Sequence, residues 1–400
     1  MSSKSNKEIK NVIIINDFDY IQGGASKIAI QNANVIARKN KDINVYFFCG
    51  KHDDSTNLDK NIKVICLNQD ENLKDKNRLR GIINGICNKK AYRALIKLLK
   101  SLNPNDTIIH VHGWTKVLSS SVFKAAFKLK FKLVLTLHDY FSVCPNGALY
   151  NFKKGTICKK KPMSLSCMCC NCDSRNYFFK LYRILRQDVQ NSILKGNLKN
   201  VITISDLSEK LFRKHLTGVK YYRVYNPIDL PISNKMANGD YYVYVGRVDQ
   251  EKGVDDFCTC IENLGLNGIV VGDGKEYNRL KDKYKSINFV GWKNKDDIIK
   301  YLSNSKALIF PSVWYETAGL TILEALSQGV PCYVRETTAG AEFIKEGENG
   351  YLFKDVEDLK KKIIENKDKK FKFVLENKEF LEKTFYIKLM ETYNNIIGGE

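Results

Sequence analysis

Short unbroken runs of apolar, mostly β-branched residues alternate along the chain with longer stretches in which apolar positions recur at helical spacing. Val12–Ile15, Val45–Cys49, Val64–Leu67, Ile108–His112, Leu133–His138 and Val201–Ser205 are runs of the first kind, and a helix over Ile28–Ala37 follows the first of them. A strand with one wet face alternates apolar and polar, so unbroken runs predict strands covered on both faces, as in a parallel sheet. Strand–helix alternation then predicts an open, doubly wound α/β fold. The pattern restarts after Asn226-Pro227-Ile228-Asp229, with Tyr241–Val245, Gly268–Val271, Ile287–Val290, Ala307–Phe310 and Val330–Val334 as a second parallel sheet. The fold class read from this is α/β, with two Rossmann-like parallel-sheet domains facing a cleft. The first covers residues 1–227 and the second 228–375, with a linker near Pro227–Asn238. Residues 376–400 read as a C-terminal helix crossing back to the first domain.

In open sheets ligands collect beyond the carboxyl ends of the strands, so the residues just after each run carry the chemistry. The first run leads through Asp17, Asp19 and the pair Gly23-Gly24 into a helix. Glycines there let backbone N–H groups approach an anion at the helix start, and a plain tight turn would also use them. The spacing is not the G-x-G-x-x-G of dinucleotide binding. Asp17-x-Asp19 imitates a metal-binding D-x-D motif but lies too early in the chain for that use. The fourth run ends in His110-Val111-His112-Gly113-Trp114 and the fifth in His138-Asp139, and neutral imidazoles at strand ends can donate or accept near neutral pH. In the second half Gly246, Arg247, Lys252 and Gly253 follow a strand, and two cations beside a glycine turn fit a pyrophosphate. Gly272-Asp273-Gly274 makes a further tight turn. The backbone of Thr317, Ala318, Gly319 and Leu320 opens a helix whose N–H groups suit phosphate. Glu316 and Glu324 flank that helix start, and a carboxylate can accept from two vicinal sugar hydroxyls. Glu324 lies among Ile322, Leu323, Ala325 and Leu326, so it requires a partner if buried.

This constellation resembles the GT-B glycosyltransferases, specifically the retaining family 4 group. Glu316 and Glu324 match the family's E-x7-E, and Gly246, Arg247, Lys252 and Gly253 its G-R-x4-K-G turn. Gly23 and Gly24 match its glycine loop, Asn226–Asp229 its domain-crossing turn, and Glu348–Leu352 its N-G-x-L lead-in. Arg335–Gly340 departs from the family pattern, where an Asp is common. The resemblance implies a retaining transferase moving a hexose from a nucleotide-diphosphate sugar to a glycan or polyprenyl-linked acceptor in bacterial surface polysaccharide synthesis. Its implied catalytic residues are His138, Glu316, Arg247 and Lys252. Arg247 and Lys252 would neutralise the leaving diphosphate, Glu324 hold ribose hydroxyls and Glu316 those of the sugar. Gly23, Gly24, Gly246, Gly272 and Thr317–Leu320 complete the donor site, while His112, Trp114 and Asp139 would face the acceptor. The leaving phosphate would help deprotonate the acceptor on one face of the sugar, with no catalytic metal.

The net charge of +21 is lopsided: residues 72–186 hold 23 Lys and Arg against 4 Asp and Glu, leaving the rest nearly neutral. Such a surface suits a polyanion, and a solvated lysine-rich face is the plainer explanation. Basic amphipathic stretches at Lys89–Leu102 and Phe178–Arg186 fit an anionic membrane surface, the first equally a helix facing the core. No recognisable nucleic-acid-binding pattern is present, which disfavours that partner. No apolar stretch reaches bilayer-spanning or signal-peptide length, so the expected location is cytoplasmic, peripheral at the inner membrane face. Six of the 12 Cys fall in the insert 144–172, where C-x-x-C spacings fit a structural zinc on Cys144, Cys158, Cys167 and Cys172, with free thiols as the alternative. A basic nucleic-acid binder and a sugar-nucleotide epimerase on the same fold are the competing readings.

Overall fold

A computed structural model describes residues 8–228, 232–233, 236, 238–367, 369, 371 and 378–399. Asp229 of the crossing turn and residues 372–377 lie outside the described residues. The first half contributes strands β1 (Asn11–Phe18), β2 (Asn44–Lys51), β3 (Lys63–Cys66), β4 (Thr107–Val111), β5 (Lys132–Thr136), β6 (Tyr150–Asn151), β7 (Thr156–Ile157), β8 (Asn200–Thr203) and β9 (Lys220–Arg223). β6 and β7 pair as a small antiparallel hairpin. The other seven form one parallel sheet in the order β3-β2-β1-β4-β5-β8-β9. All eight residues of β1 are buried, which is why its sequence shows no polar alternation. Edge strand β9 escapes the pattern search because Lys220-Tyr221-Tyr222-Arg223 is only half-buried.

The second half adds β10 (Tyr241–Val245), β11 (Gly268–Val271), β12 (Asn288–Gly291), β13 (Ser305–Phe310), β14 (Cys332–Arg335) and β15 (Gly350–Phe353). They form a second parallel sheet in the order β12-β11-β10-β13-β14-β15. In both sheets the order reverses beside the first strand, between β1 and β4 and between β10 and β13. Those two switch points are where loops part and leave room for a ligand.

Helix Glu382–Gly398 leaves the second half and buries Phe385, Leu389, Tyr393, Ile396 and Ile397 against Val12, Ile14 and helix Gly24–Lys39 of the first. Helix Lys89–Leu99 turns Ala91, Leu95 and Leu99 into the first core, so it is a core helix and not a membrane-facing one. Helix Tyr177–Leu194 departs further from its sequence pattern. Its buried face carries Lys180, Arg186, Gln187 and Gln190, while Phe178, Leu181 and Leu185 are exposed. The neighbouring helix Arg78–Ile86 is likewise inverted, burying Gly81 and Gly85 and exposing Leu79, Ile82 and Ile83. The two helices approach closely at Gly85, where a Cβ would lie 1.7 Å from the Tyr182 hydroxyl.

Lys180 also answers the cysteine question. Its ammonium lies 3.2 Å from Cys172 Sγ and 3.6 Å from Cys167 Sγ, with Cys144 close by. A lysine cation thus sits among these thiols. Burial pushes the Cys172 thiol up to about 11 and lifts that of Cys144, so both stay protonated. No group of three or more His, Cys, Asp or Glu among the described residues is arranged to hold a metal ion.

Candidate active site

The two switch points face each other across a cleft of about 410 Å³. The first domain lines it with Gly23, Gly24, Ala25, Lys27 and His138, and the second with Gly246, Arg247, Lys252, Trp314 and residues 316–321 and 324. Helices Gly24–Lys39 and Leu320–Ser327 both start at this gap, so two sets of unpaired N–H groups and two positive dipole ends converge. The approach is close: a Cβ on Gly24 would stand 3.8 Å from Leu320 Cδ1. Gly319 caps the second helix with φ +72°, a left-handed conformation that glycine adopts without strain.

Glu316 is the hub of the second-domain wall. Its Oε2 accepts from Lys252 Nζ at 2.6 Å, Trp314 Nε1 at 2.9 Å and Ser312 Oγ at 3.2 Å. Oε1 makes no hydrogen bond with the described residues. Burial works to raise the carboxyl, but the Lys252 charge and these bonds hold it below the ordinary carboxylate value. Lys252 also sits 5.2 Å from the Trp314 ring centre. Arg247 is steadied by ion pairs to Asp249 and to Glu251, the latter at 3.1 Å, while most of its side chain stays exposed. Glu324 is half-buried and finds the partner its apolar flanks demanded in Lys27 of the other domain, 3.1 Å away. A second tie crosses the cleft where Thr317 Oγ1 donates to the His138 carbonyl at 2.7 Å.

Behind His138 lies a stack of imidazoles. His138 Nε2 is 2.8 Å from His112 Nδ1, and the rings of His112 and His110 have centres 4.1 Å apart. Burial pushes His138 down to about 3 and holds His110 and His112 well below the usual value, so all three are neutral at pH 7.

Several expected placements fail. His112 is buried and touches His138 from behind, so it does not face an acceptor. Trp114 is a core residue, its indole N–H donating to Gln190 at 2.8 Å and its ring edge-on to Phe123. Asp139 is outside the cleft wall and caps the turn Tyr140–Ser142, accepting from the Phe141 N–H at 2.9 Å. Burial nonetheless raises its carboxyl to about 6. Gly272 supports the site instead of lining it, since a Cβ there would lie 1.8 Å from the Gly246 carbonyl. Asp17 accepts from the N–H groups of Lys116, Val117 and Leu118, so it shapes a turn. Asp19 bonds His52 at 2.6 Å. Arg335, in the stretch that departs from the family pattern, staples Asp256 and the Pro311 and Lys354 carbonyls. Sequence reading overlooked Lys27, Ser312, Trp314 and Asn32. Lys27 lies one turn beyond Gly24 on the same helix, and Trp314 and Ser312 stand two and four residues before Glu316, which were the available signals.

Residues 228–379 match the family described as "Glycosyl transferases group 1". The second half of the chain thus carries a group 1 glycosyltransferase domain. The enzyme is 28% identical over 319 residues to the uncharacterized glycosyltransferase MJ1178 of Methanocaldococcus jannaschii, spanning 76% of this chain and 80% of that one. Over 129 residues, 29% of this chain and 33% of the other, it is 32% identical to the UDP-Gal:alpha-D-GlcNAc-diphosphoundecaprenol alpha-1,3-galactosyltransferase of Escherichia coli. Among solved structures it resembles WaaG, a glycosyltransferase involved in lipopolysaccharide biosynthesis, with a TM-score of 0.61 at 16% identity over 97% of this chain and all of that one. The enzyme thus has the GT-B fold. No helix among the described residues is long and apolar enough to cross a membrane.

Proposed function

We propose that the enzyme transfers a hexose, with retention of anomeric configuration, from a nucleotide-diphosphate sugar to a glycan or polyprenyl-linked acceptor in surface polysaccharide synthesis. The observation that carries this is the meeting of Lys252, Arg247 and two helix N-termini with Glu316 and Glu324 in one cleft. A diphosphate departing between them meets fixed positive charge and unpaired N–H groups, and stabilising charge that grows on a leaving group is usually the largest catalytic contribution. Glu316 Oε1 suits a sugar hydroxyl and Glu324 the ribose diol. A free carboxylate nucleophile is a poor fit, because Glu316 is held by Lys252 and Glu324 by Lys27. Departing phosphate is then the base that takes the acceptor proton. The lipid-linked acceptor is supported by the galactosyltransferase named above. Glu316→Ala and Lys252→Ala should each lower transfer by about 10²-fold or more while the far-ultraviolet spectrum is kept. Full activity in both variants refutes the reading.

The same proposal seats the first domain on an anionic bilayer. The inverted helices Arg78–Ile86 and Tyr177–Leu194 pack side by side and present Leu79, Ile82, Ile83, Phe178, Leu181 and Leu185 outward. Exposed Lys74, Lys76, Arg78, Lys89 and Arg175 flank them. Apolar anchors ringed by cations fit an anionic leaflet. Wild-type protein should float with phosphatidylglycerol vesicles and not with phosphatidylcholine ones. The triple variant Leu79→Asp, Ile83→Asp, Phe178→Asp should stay at the bottom of the gradient, and its flotation would refute the seat.

A further inference from the structure

Three cations line the cleft, and two of them are paired within the second domain: Lys252 with Glu316, and Arg247 with Asp249 and Glu251. Lys27 is the cation that the first domain brings to this wall, and its partner stands opposite, with Nζ 3.1 Å from Glu324 Oε1. Nothing in its own helix calls for a lysine there. Lys27 lies in the first turn of helix Gly24–Lys39, where the macrodipole disfavours a cation and no acidic side chain offsets it. Glu324 has an equally narrow choice of neighbours. It is flanked by Ile322, Leu323, Ala325 and Leu326, all buried. Lys27 holds its Oε1, while Oε2 makes no hydrogen bond with the described residues. Without Lys27 this half-buried carboxylate would turn toward water, because a charge in apolar surroundings needs a partner or solvent.

We infer that Lys27 is a positioning residue: by holding Glu324 Oε1 it fixes the carboxylate so that Oε2 accepts from the ribose diol of the bound nucleotide. Lysine and glutamate belong to different domains, so ribose recognition is complete only while the two walls stand together. The inference rests on reading the cleft as a nucleotide-sugar site. A plain staple between domains would add stability without touching nucleotide choice. A lysine acting on phosphate would strengthen every nucleoside diphosphate alike. Positioning of Glu324 by Lys27 instead makes the ribose hydroxyls the feature that is read. 

The test compares ribose with 2′-deoxyribose. UDP, GDP, ADP and their 2′-deoxy counterparts are titrated calorimetrically against the full chain, and the tightest-binding pair is carried through the variants. Wild type should prefer the ribonucleotide by about 10-fold, the worth of one hydrogen bond to a charged group. Lys27→Met, which keeps the length of the side chain and removes its charge, should bring the two affinities together, and Lys27→Arg should restore most of the difference. Glu324→Ala should abolish the same preference, and adding Lys27→Met to it should remove nothing more, as for two residues that act through one contact. In steady-state transfer the loss in Lys27→Met should fall on the donor KM more than on kcat. A ribose preference kept in Lys27→Met overturns the inference, whether all affinities fall together, as for a phosphate contact, or only the melting point falls, as for a staple. Wild type that binds these nucleotides with no preference for ribose overturns it too, and that measurement needs no variant to fold. Wild type that binds none of them overturns the reading of the cleft, and the inference with it.

Discussion

His138 stays neutral because burial pushes its imidazole down to about 3. An imidazole in an unfolded chain titrates near about 6.5. Below that pH the unfolded chain takes up a proton that the folded chain refuses, so stability is complete above about 6.5 and falls as pH drops toward about 3. His138→Gln removes this titration. The wild-type unfolding free energy, minus that of the variant, should fall by about 1.4 kcal/mol per pH unit between about pH 6 and about pH 4. Urea denaturation across that range measures it, and parallel curves would show that the imidazole titrates freely. At this scale the sequence exposed Arg247 and Lys252 in the loop after β10, Glu316 in the loop after β13, and Glu324 in the helix that this loop opens. It misplaced His112 and Trp114 for one reason: standing at a strand end does not say which wall a side chain meets. His112 turns toward His138 and Asn32, and Trp114 toward Phe123 and Gln190.

Among the elements, glycines set how closely loops approach. Gly272 has φ +141°, and an added Cβ would collide with the Gly246 carbonyl at 1.8 Å. Gly272→Ala must shift the turn that carries Arg247 or strain its own backbone. It should cost about 2–4 kcal/mol of stability and weaken nucleotide-sugar binding. Thermal unfolding and titration calorimetry check this, and an unchanged melting point with unchanged affinity would show that the turn gives way freely. The central strands were legible because burial on both faces leaves a continuous apolar run. Of the two inverted helices, the stretch Phe178–Arg186 shows its outward, membrane-suited face in the sequence, whereas Arg78–Ile86 does not. The apolar residues of Arg78–Ile86 recur at helical spacing as in any core helix, and its glycine face against Tyr182 turns them outward.

For the whole molecule, the chain crosses between domains and then returns. Leu389 is wholly buried in a core shared by helix Glu382–Gly398 and the first sheet. Leu389→Ala should therefore cost about 2–5 kcal/mol, although it lies nearly 400 residues into the chain and far from any strand of that sheet in sequence. Equilibrium unfolding measures the loss, and a cost below about 1 kcal/mol would mean the helix is not docked. The same return brings Tyr393 to Asn32 and His110.

The amino-acid order alone determined the alternation of strand and helix, the two-sheet architecture, and the cationic and carboxylate residues with which the second domain lines the cleft. These depend on local spacing, where a side chain's role follows from its place after a strand. Tertiary structure alone decided that Lys27 pairs with Glu324, that Thr317 binds the His138 carbonyl, and that Asn32 meets His110 and His112. Each of those contacts joins segments far apart in the chain, and no local pattern of residues encodes which distant group will stand opposite once the sheets have packed.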